Sequence, residues 1–468
     1  MRSRLMLAII GCLIAALGGL AELQVAPEAS AQKLPANEPY SLAYAAGSYD
    51  ANGGFLGGTE LMNLVAFKGA LYAGIGYWMD RQSAWRDPKP GAQVIVLDTK
   101  FSQWRQDFKS SVRATAQEYT RVSAMERIEF HRFDDVEHVS GLLAEMLVVG
   151  LDGPAGGAVY TQRSPGHWED TRIPANASIR SLALHYDSLD RVEKLYVAGG
   201  AQLSAPHEGN IYSGVYDAVA PGRIRWDPRP EPVKFQNRVM SMVDCGGVLF
   251  AAAKPSIYRR NDQKRQWELV YSHPRQYSFD DSKYASGFRA LTCINATGST
   301  GKALLASFEG ISGEIVKIDL QSGAATVELQ SRQFLTQQWG YPPAKPDIIM
   351  GYNNVPLVEH DPETRLFGLL ATSPNPAEHN SAWLLSRTNN DTLRYELHEV
   401  RPLSWPNRRS DGALWSVRAI AISPFPDDQN QIVYLGGYDG HFAPDHNTAW
   451  LYRVGVNVAL EPYNSRKW

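Results

Sequence analysis

The chain has 468 residues, with 46 Lys and Arg against 49 Asp and Glu, which gives a formal net charge of −3. This near-neutral balance lacks the basic excess of a general nucleic-acid binder, and a hydrophobic content of 44% excludes a mainly disordered protein. Although two or three domains would be ordinary at this length, the 39 Gly and 28 Pro favour one large all-β domain.

The N-terminus has the pattern of an export signal. Basic residues precede an apolar run over 5–20, and the small residues at 29–31 form a signal-peptidase motif. We therefore expect a signal peptide over 1–31 and a periplasmic or secreted mature domain over 32–468, with no membrane association after cleavage. A transmembrane anchor would need about 20 apolar residues, which this run does not reach. Lipidation at Cys12 is a further alternative, but the residues after that cysteine remain apolar.

Short runs rich in Val, Leu, Ile, Tyr and Phe recur between turn residues through the rest of the chain, as is typical of strands and hairpins. They form a weak repeat whose unit is a strand, a turn, a second strand ending in a small residue, a loop and a third strand. Second strands are predicted over 71–74, 146–149, 195–198, 249–252, 304–307, 366–369 and 433–436. Third strands are predicted over 94–97, 158–160, 210–212, 256–258, 314–316, 383–385 and 449–452. Seven four-stranded units of this kind predict a single seven-bladed β-propeller.

The seventh unit shows no evident fourth strand after Tyr452. We expect residues 40–46 to supply it, so that the mature N-terminal strand closes the ring. A solenoid or two β-sandwiches would use the same strands without requiring the two ends to meet.

The first strands carry the charge pattern that points to a site, because they line the central channel of a propeller. When these strands are aligned with an apolar residue at every second position, four of them begin with arginine: Arg180, Arg238, Arg289 and Arg418. The corresponding positions in the other units hold Glu60, Glu126 and Asn354. A cluster of guanidinium groups is costly unless an anion or a carboxylate compensates it. The ring therefore predicts an anion-binding funnel; alternatively, the arginines tie neighbouring blades together through carbonyls and the two Glu.

The densest polar loop on the same face covers 439–447, and it contains Asp439, His441 and His446. Imidazole groups can act as general acid or base near neutral pH. The candidate bases are His441, His446 and Tyr212, and Asp439 and Tyr77 are further ligand-binding candidates. A structural loop with turn hydrogen bonds is an alternative, and a metal site is less well supported because the spacing matches no ligand motif. The sequence predicts no particular cofactor.

Only Cys245 and Cys293 remain after removal of the signal peptide. They are compatible with one disulfide in an oxidising compartment, but the apolar strand pattern around Cys293 favours two buried thiols. Neither has a His or Cys at metal-ligand spacing, so no zinc site is predicted.

The stretches 58–60, 287–292 and 436–450 resemble exported bacterial β-propeller proteins of unassigned function, which implies the fold and export. A weaker architectural resemblance is to seven-bladed polysaccharide lyases, which cleave uronate-containing glycans by β-elimination. That resemblance implies carboxylate binding by the four arginines and proton removal by His441, His446 or Tyr212. We therefore predict a protein that binds an anionic ligand in its axial funnel, with a lyase acting on uronate-containing glycans as the leading enzymatic hypothesis. The alternative is a non-catalytic platform that binds a protein or glycan.

Overall fold

The computed structural model describes residues 37–77, 91–110, 112–113, 116–117, 119–133, 139–153, 156–174, 178–200, 209–232, 235, 238–274, 287–296, 301–310, 312–343, 349–357, 364–371, 382–389, 392–400, 416–438 and 448–463. The expected signal peptide lies outside these ranges. Within them, no helix combines the length and apolar character that crossing a membrane requires.

The strands follow one another as four-stranded antiparallel units. Before the first unit come β1 (Ser41–Ala45) and the hairpin of β2 (Ser48–Tyr49) and β3 (Phe55–Leu56). The first unit contains β4 (Glu60–Phe67), β5 (Ala70–Gly76), β6 (Gln93–Leu97) and β7 (Arg105–Lys109), and the hairpin of β8 (Val112–Arg113) and β9 (Ala116–Gln117) follows it. The second contains β10 (Arg121–Phe133), β11 (Val139–Gly153), β12 (Gly156–Ser164) and β13 (His167–Asp170). The third contains β14 (Ser178–Asp187), β15 (Val192–Gly200), β16 (Gly209–Tyr216) and β17 (Ile224–Trp226).

The remaining units repeat this order. The fourth contains β18 (Val239–Asp244), β19 (Leu249–Ala253), β20 (Ser256–Asn261) and β21 (Gln266–Ser272). The fifth contains β22 (Gly287–Asn295), β23 (Lys302–Glu309), β24 (Glu314–Asp319) and β25 (Ala325–Gln330), followed by α1 (Ser331–Trp339). The sixth contains β26 (Met350–Pro356), β27 (Arg365–Leu370), β28 (Ala382–Asn389) and β29 (Leu393–Val400). The last contains β30 (Ser416–Ile422), β31 (Ile432–Tyr438) and β32 (Trp450–Gly455), followed by α2 (Val456–Ala459).

The core lies between neighbouring units. The second strands read as nearly continuous apolar runs because each is covered on both faces, and Leu195, Val197, Leu249 and Ala251 are all fully buried. Side chains of adjacent units share clusters, as Tyr196 and Leu249 do between the third and fourth units. Burial of apolar surface between sheets therefore stabilises the order of the units.

The first strands contact one another in chain order, from β4 through β10, β14, β18, β22 and β26 to β30, and β30 contacts β4. Single backbone bridges join some neighbouring units, as Arg121 pairs with Gly76 and Glu60 pairs with Tyr438. At the other side of the last unit, β1 pairs antiparallel with β32, with Ser41 opposite Arg453. The fold is thus all-β and propeller-like.

A disulfide joins Cys245 to Cys293, which corrects the prediction of two buried thiols. Cys245 lies in the turn after β18 and Cys293 lies in β22, so the bond links the fourth unit to the fifth. The two Cα atoms are 5.2 Å apart although 48 residues separate the cysteines in sequence. Sequence spacing did not reveal this proximity, because it arises from the packing of neighbouring units.

A buried histidine makes a second link between units. His185 of β14 contacts Asp244 through Nδ1 at 2.6 Å and Asp262 through Nε2 at 3.2 Å. The ring also lies near Tyr196, and Asp262 pairs with Arg260. Burial by itself would lower the pKa of His185, but the hydrogen bond to Asp244 and the charges of both aspartates outweigh burial and raise it.

The raised pKa predicts a stability that falls with rising pH. Protonated His185 contributes fully below its unfolded pKa of about 6.5, and the contribution is lost as the pH rises through the higher folded pKa. We expect the free energy of unfolding to fall above about pH 6.5 with a slope of at most about 1.4 kcal/mol per pH unit from this group. Urea unfolding at several pH values measures the slope, and His185→Gln should remove this component. An unchanged slope in His185→Gln would contradict the assignment.

Candidate functional site

The first strands line a central channel, and the end at which these strands start is called its upper end. Each first strand contains a register shift near this end. In β14 the pairing with β15 shifts between Ile179 and Ser181, and in β30 the pairing with β31 shifts between Val417 and Ala419. All seven first strands contain such a shift near their starts. Residues at or beside the shifts line one cavity of about 80 Å³; they are Met62, Ser123, Arg180, Met240, Arg289, Tyr352 and Arg418. The structure therefore brings three of the four predicted arginines together.

Arg238 does not lie at the register shift of its strand, as Arg180 does, and this corrects the predicted equivalence of the two arginines. Met240 occupies the position at the register shift, and Arg238 directly precedes the first residue of β18. A glycine at the end of the second strand of the preceding unit makes room for it, since a Cβ on Gly200 would lie 2.5 Å from Cγ of Arg238. Arg121 and Gly76 repeat this arrangement between the second and first units, with 2.4 Å between the added Cβ and Cβ of Arg121.

Glu126 is also misplaced in the sequence alignment. It lies five positions after Arg121 in β10 and lines a larger channel cavity of about 440 Å³, while Arg121 takes the strand-start position. Solvent in the channel reaches its side chain, but the surrounding strands limit hydration and raise the pKa of Glu126 to about 7. The signal for Arg121 was in the sequence, because 121–125 (RVSAM) matches 238–242 (RVMSM) at the Arg, Val and final Met.

Three carboxylates hold most of these arginines. Arg418 Nη1 donates to Glu60 at 2.6 Å, and Arg289 Nε donates to Glu309 at 2.5 Å. Both pairs are buried or half-buried, so each carboxylate neutralises its partner in an environment with little water. Burial raises the pKa of Glu309 even though Arg289 acts in the opposite direction.

Asp152 serves two arginines from adjacent units. Its Oδ2 accepts from Arg121 Nε at 2.6 Å and from Arg180 Nη2 at 2.9 Å, and Arg121 Nη2 also donates to it. Sequence reasoning missed Asp152. A usable signal was that an acid followed by Gly ends the second strand in two units, as Asp152-Gly153 and Glu309-Gly310.

The site retains donors that the described residues do not satisfy. Among the residues that the structure describes, none accepts a hydrogen bond from the guanidinium of Arg238. Arg180 Nε is buried and has no acceptor in the described ranges. Burial, together with the charges of Arg121, Arg238 and Arg289, lowers the pKa of Arg180, and burial lowers the pKa of Arg238. An anion placed here would offset this repulsion and accept the free N–H groups.

Tyr212 and Tyr77 do not join this group. Tyr212 lies in β16, the third strand of its unit, and its side chain is buried, which raises its pKa. Tyr77 is buried near Tyr44, and its backbone N–H donates to Thr120. Asn354 pairs with Phe367 in the backbone, but its side chain is not among those described. Instead, Tyr352 lines the cavity, with the Arg418 guanidinium 5.2 Å from its ring centre.

The predicted bases His441 and His446, and Asp439 with them, lie outside the described residues. Within the described part of the chain, no group of three or more His, Cys, Asp or Glu side chains is arranged to hold a metal ion.

Comparisons with known proteins give structural similarity without a family. No family model matches the chain, and a search of curated proteins gives no match. Among solved structures, the extracellular domain of BT4673 from B. thetaiotaomicron is similar with a TM-score of 0.48 and 13% identity over 88% of this chain and 39% of that one. Sqt1 from Chaetomium thermophilum gives 0.46 and 11% over 85% and 82% of the two chains. An α-L-arabinofuranosidase from Fusarium graminearum gives 0.44 and 9% over 91% and 100%.

This chain therefore spans about two fifths of the BT4673 domain. At these identities and TM-scores the similarities assign neither an activity nor a ligand to this chain.

Proposed function

We propose that this protein is an exported seven-bladed β-propeller that binds an anionic ligand at the upper end of its channel. The contact of β30 with β4 supports a closed ring, and the pairing of β1 with β32 supports closure by the N-terminal strand. The bond between Cys245 and Cys293 supports an oxidising compartment, as export would provide.

The N–H groups of Arg238 and Arg180 that no described residue accepts carry the proposal. Among the described residues, five arginines meet three carboxylates at this end of the channel. The cavity of about 80 Å³ holds only a few groups of water size, at about 30 Å³ each. Of the two arginines, Arg180 lines this cavity, and a carboxylate or similar head group fits its volume.

Of the three predicted bases, Tyr212 is the one that the described residues include, and its position does not support β-elimination. A lyase needs a base within hydrogen-bonding distance of the carbon beside the bound carboxylate. Tyr212 lies two strands away from the channel strand β14 in the order of its sheet, so it does not meet this condition. The carboxylate of a uronate-containing glycan remains the ligand class that the sequence resemblance implies, and the glycan is bound without cleavage in this proposal.

The test is calorimetric titration of the mature protein with an oligomer of galacturonate and with the neutral galactose oligomer. We expect only the acidic oligomer to bind, and Arg238→Met to weaken binding about 10- to 100-fold, because hydrogen bonds to charged groups contribute about 1.5–3 kcal/mol. The matched control is Arg259→Met, because Arg259 is exposed and pairs with Glu268 away from the channel. Failure of the acidic oligomer to bind would overturn the uronate ligand class, and binding that Arg238→Met leaves unchanged would overturn the proposed site. Ultraviolet absorbance of an unsaturated product would show cleavage in addition to binding.

A further inference from the structure

The uncompensated charge of the site is concentrated in one sector. Arg289 and Arg418 each have their own carboxylate, in Glu309 and Glu60. The sector formed by the second, third and fourth units contains Arg121, Arg180 and Arg238 with Asp152. Among the described residues near the strand starts of this sector, three guanidinium groups against one carboxylate leave a formal charge of +2.

This excess charge lies in a poorly hydrated place. The side chains of Arg121 and Arg180 are 13% and 10% exposed, and that of Asp152 is 6% exposed. Water therefore screens the three guanidinium groups weakly, and their mutual repulsion is larger than on an open surface. A single negative charge would neutralise only half of the excess.

A phosphomonoester matches both the charge and the donors. It carries about −1.5 to −2 at neutral pH and presents three strong acceptor oxygens. Arginines that approach from different units present N–H groups in several directions, and the oxygens of a tetrahedral head group can accept from them at the same time, whereas a carboxylate offers two oxygens in one plane. Of the three arginines, Arg180 lines the cavity of about 80 Å³ at this end of the channel.

We propose that the sector of Arg121, Arg180 and Arg238 binds a phosphomonoester dianion, in preference to a carboxylate or a sulfate ester. This inference rests on the proposed anion-binding function and names the class of anion.

Three sugars with the same kind of hexose ring distinguish the effect of ligand charge from that of ligand shape. They are glucose 6-phosphate, glucose 6-sulfate and glucuronate. Calorimetric titration of the mature protein is made at about pH 5 and about pH 7.5, below and above the second phosphate pKa of about 6. We expect the phosphate to bind at least about tenfold more tightly than the other two at the higher pH, and to lose most of this advantage at the lower pH.

Other titrating groups act on all three sugars in the same direction, and about twice as strongly on the phosphate dianion as on the monoanions. Glu126, with a pKa of about 7, adds negative charge to the channel over this range, and burial also raises the pKa of Glu309. The sulfate keeps one charge throughout, so its affinity measures these effects on a monoanion, and they oppose the expected phosphate advantage at the higher pH. Glu60 and Asp152 are the remaining carboxylates of the site.

Arg238→Met lowers the formal charge of the sector to +1, and we expect it to weaken phosphate binding more than glucuronate binding. Arg259→Met again serves as the control, and circular dichroism verifies that both variants fold. Equal affinities for the three sugars would overturn the phosphate assignment while leaving the proposed anion binding intact. Binding of none of the three sugars or of the uronate oligomer would overturn both proposals, and a phosphate preference that survives Arg238→Met would overturn the assigned sector.

Discussion

Replacing Asp152 by alanine is expected to lower the free energy of unfolding by about 3–5 kcal/mol. The substitution leaves Arg121 and Arg180 close together and nearly buried without their shared counter-charge, and removing one partner of a buried ion pair costs about this much. Urea unfolding followed by tryptophan fluorescence gives the measurement. Asp152→Asn, which keeps the shape but removes the charge, should also be destabilising.

An exposed ion pair provides the control for this prediction. Asp98 pairs with Arg105 at 2.8 Å, but its side chain is 49% exposed and Arg105 retains Asp107 as a second partner. Asp98→Ala should therefore change the free energy of unfolding by no more than about 1 kcal/mol. A similar loss in Asp98→Ala and Asp152→Ala would show that burial of the guanidinium pair is not the cause.

Removing the bond between Cys245 and Cys293 is expected to cost about 4 kcal/mol. The bond closes a loop with a sequence separation of 48, and the chain-entropy relation for a loop of this length gives that value. The double variant Cys245→Ser/Cys293→Ser should unfold at lower denaturant concentration than the oxidised protein. Adding a reductant should shift the wild type to nearly the same midpoint.

The double variant is its own control for the reductant, because its midpoint should not move when reductant is added. Two free thiols detected in the folded, oxidised protein would contradict the bond. A midpoint of the double variant equal to that of the wild type would show that the link between the fourth and fifth units adds no stability.

Much of the architecture was readable from local sequence patterns. Runs such as 195–198 are apolar at every position because both faces are covered, and this pattern marks the second strand of a unit without any knowledge of its neighbours. The third strands were found in the same way. These features depend on residues adjacent in the chain, so periodicity alone predicts them.

The site was only partly predictable, because its geometry depends on an irregularity that periodicity conceals. Strict alternation placed Arg238 level with Arg180 and selected Glu126 instead of Arg121, since it ignored the register shift after the start of each first strand. Asp152 was missed for a different reason. Its role depends on two arginines, one opposite it in the hairpin of β10 and β11 and one in the next unit.

The disulfide was misjudged because the contact is between units. Cys293 lies in an apolar strand, as a buried thiol would, and only the packing of β22 against the preceding unit brings it to Cys245. The disulfide thus depends on a contact between residues far apart in sequence, which a local sequence pattern does not predict.

The pairing of β1 with β32 has a consequence for the order of events during biosynthesis. Ser41 donates its hydroxyl to the carbonyl of Arg453, a contact that spans 412 residues. The ribosome therefore synthesises β32 long after β1, and β1 stays unpaired until β32 is available. Contacts of such long range slow folding, because the chain between them has to be ordered first. A chain that stops short of β32 leaves β1 as an extended segment with free backbone groups, so a truncated translation product would expose a strand that recruits other chains.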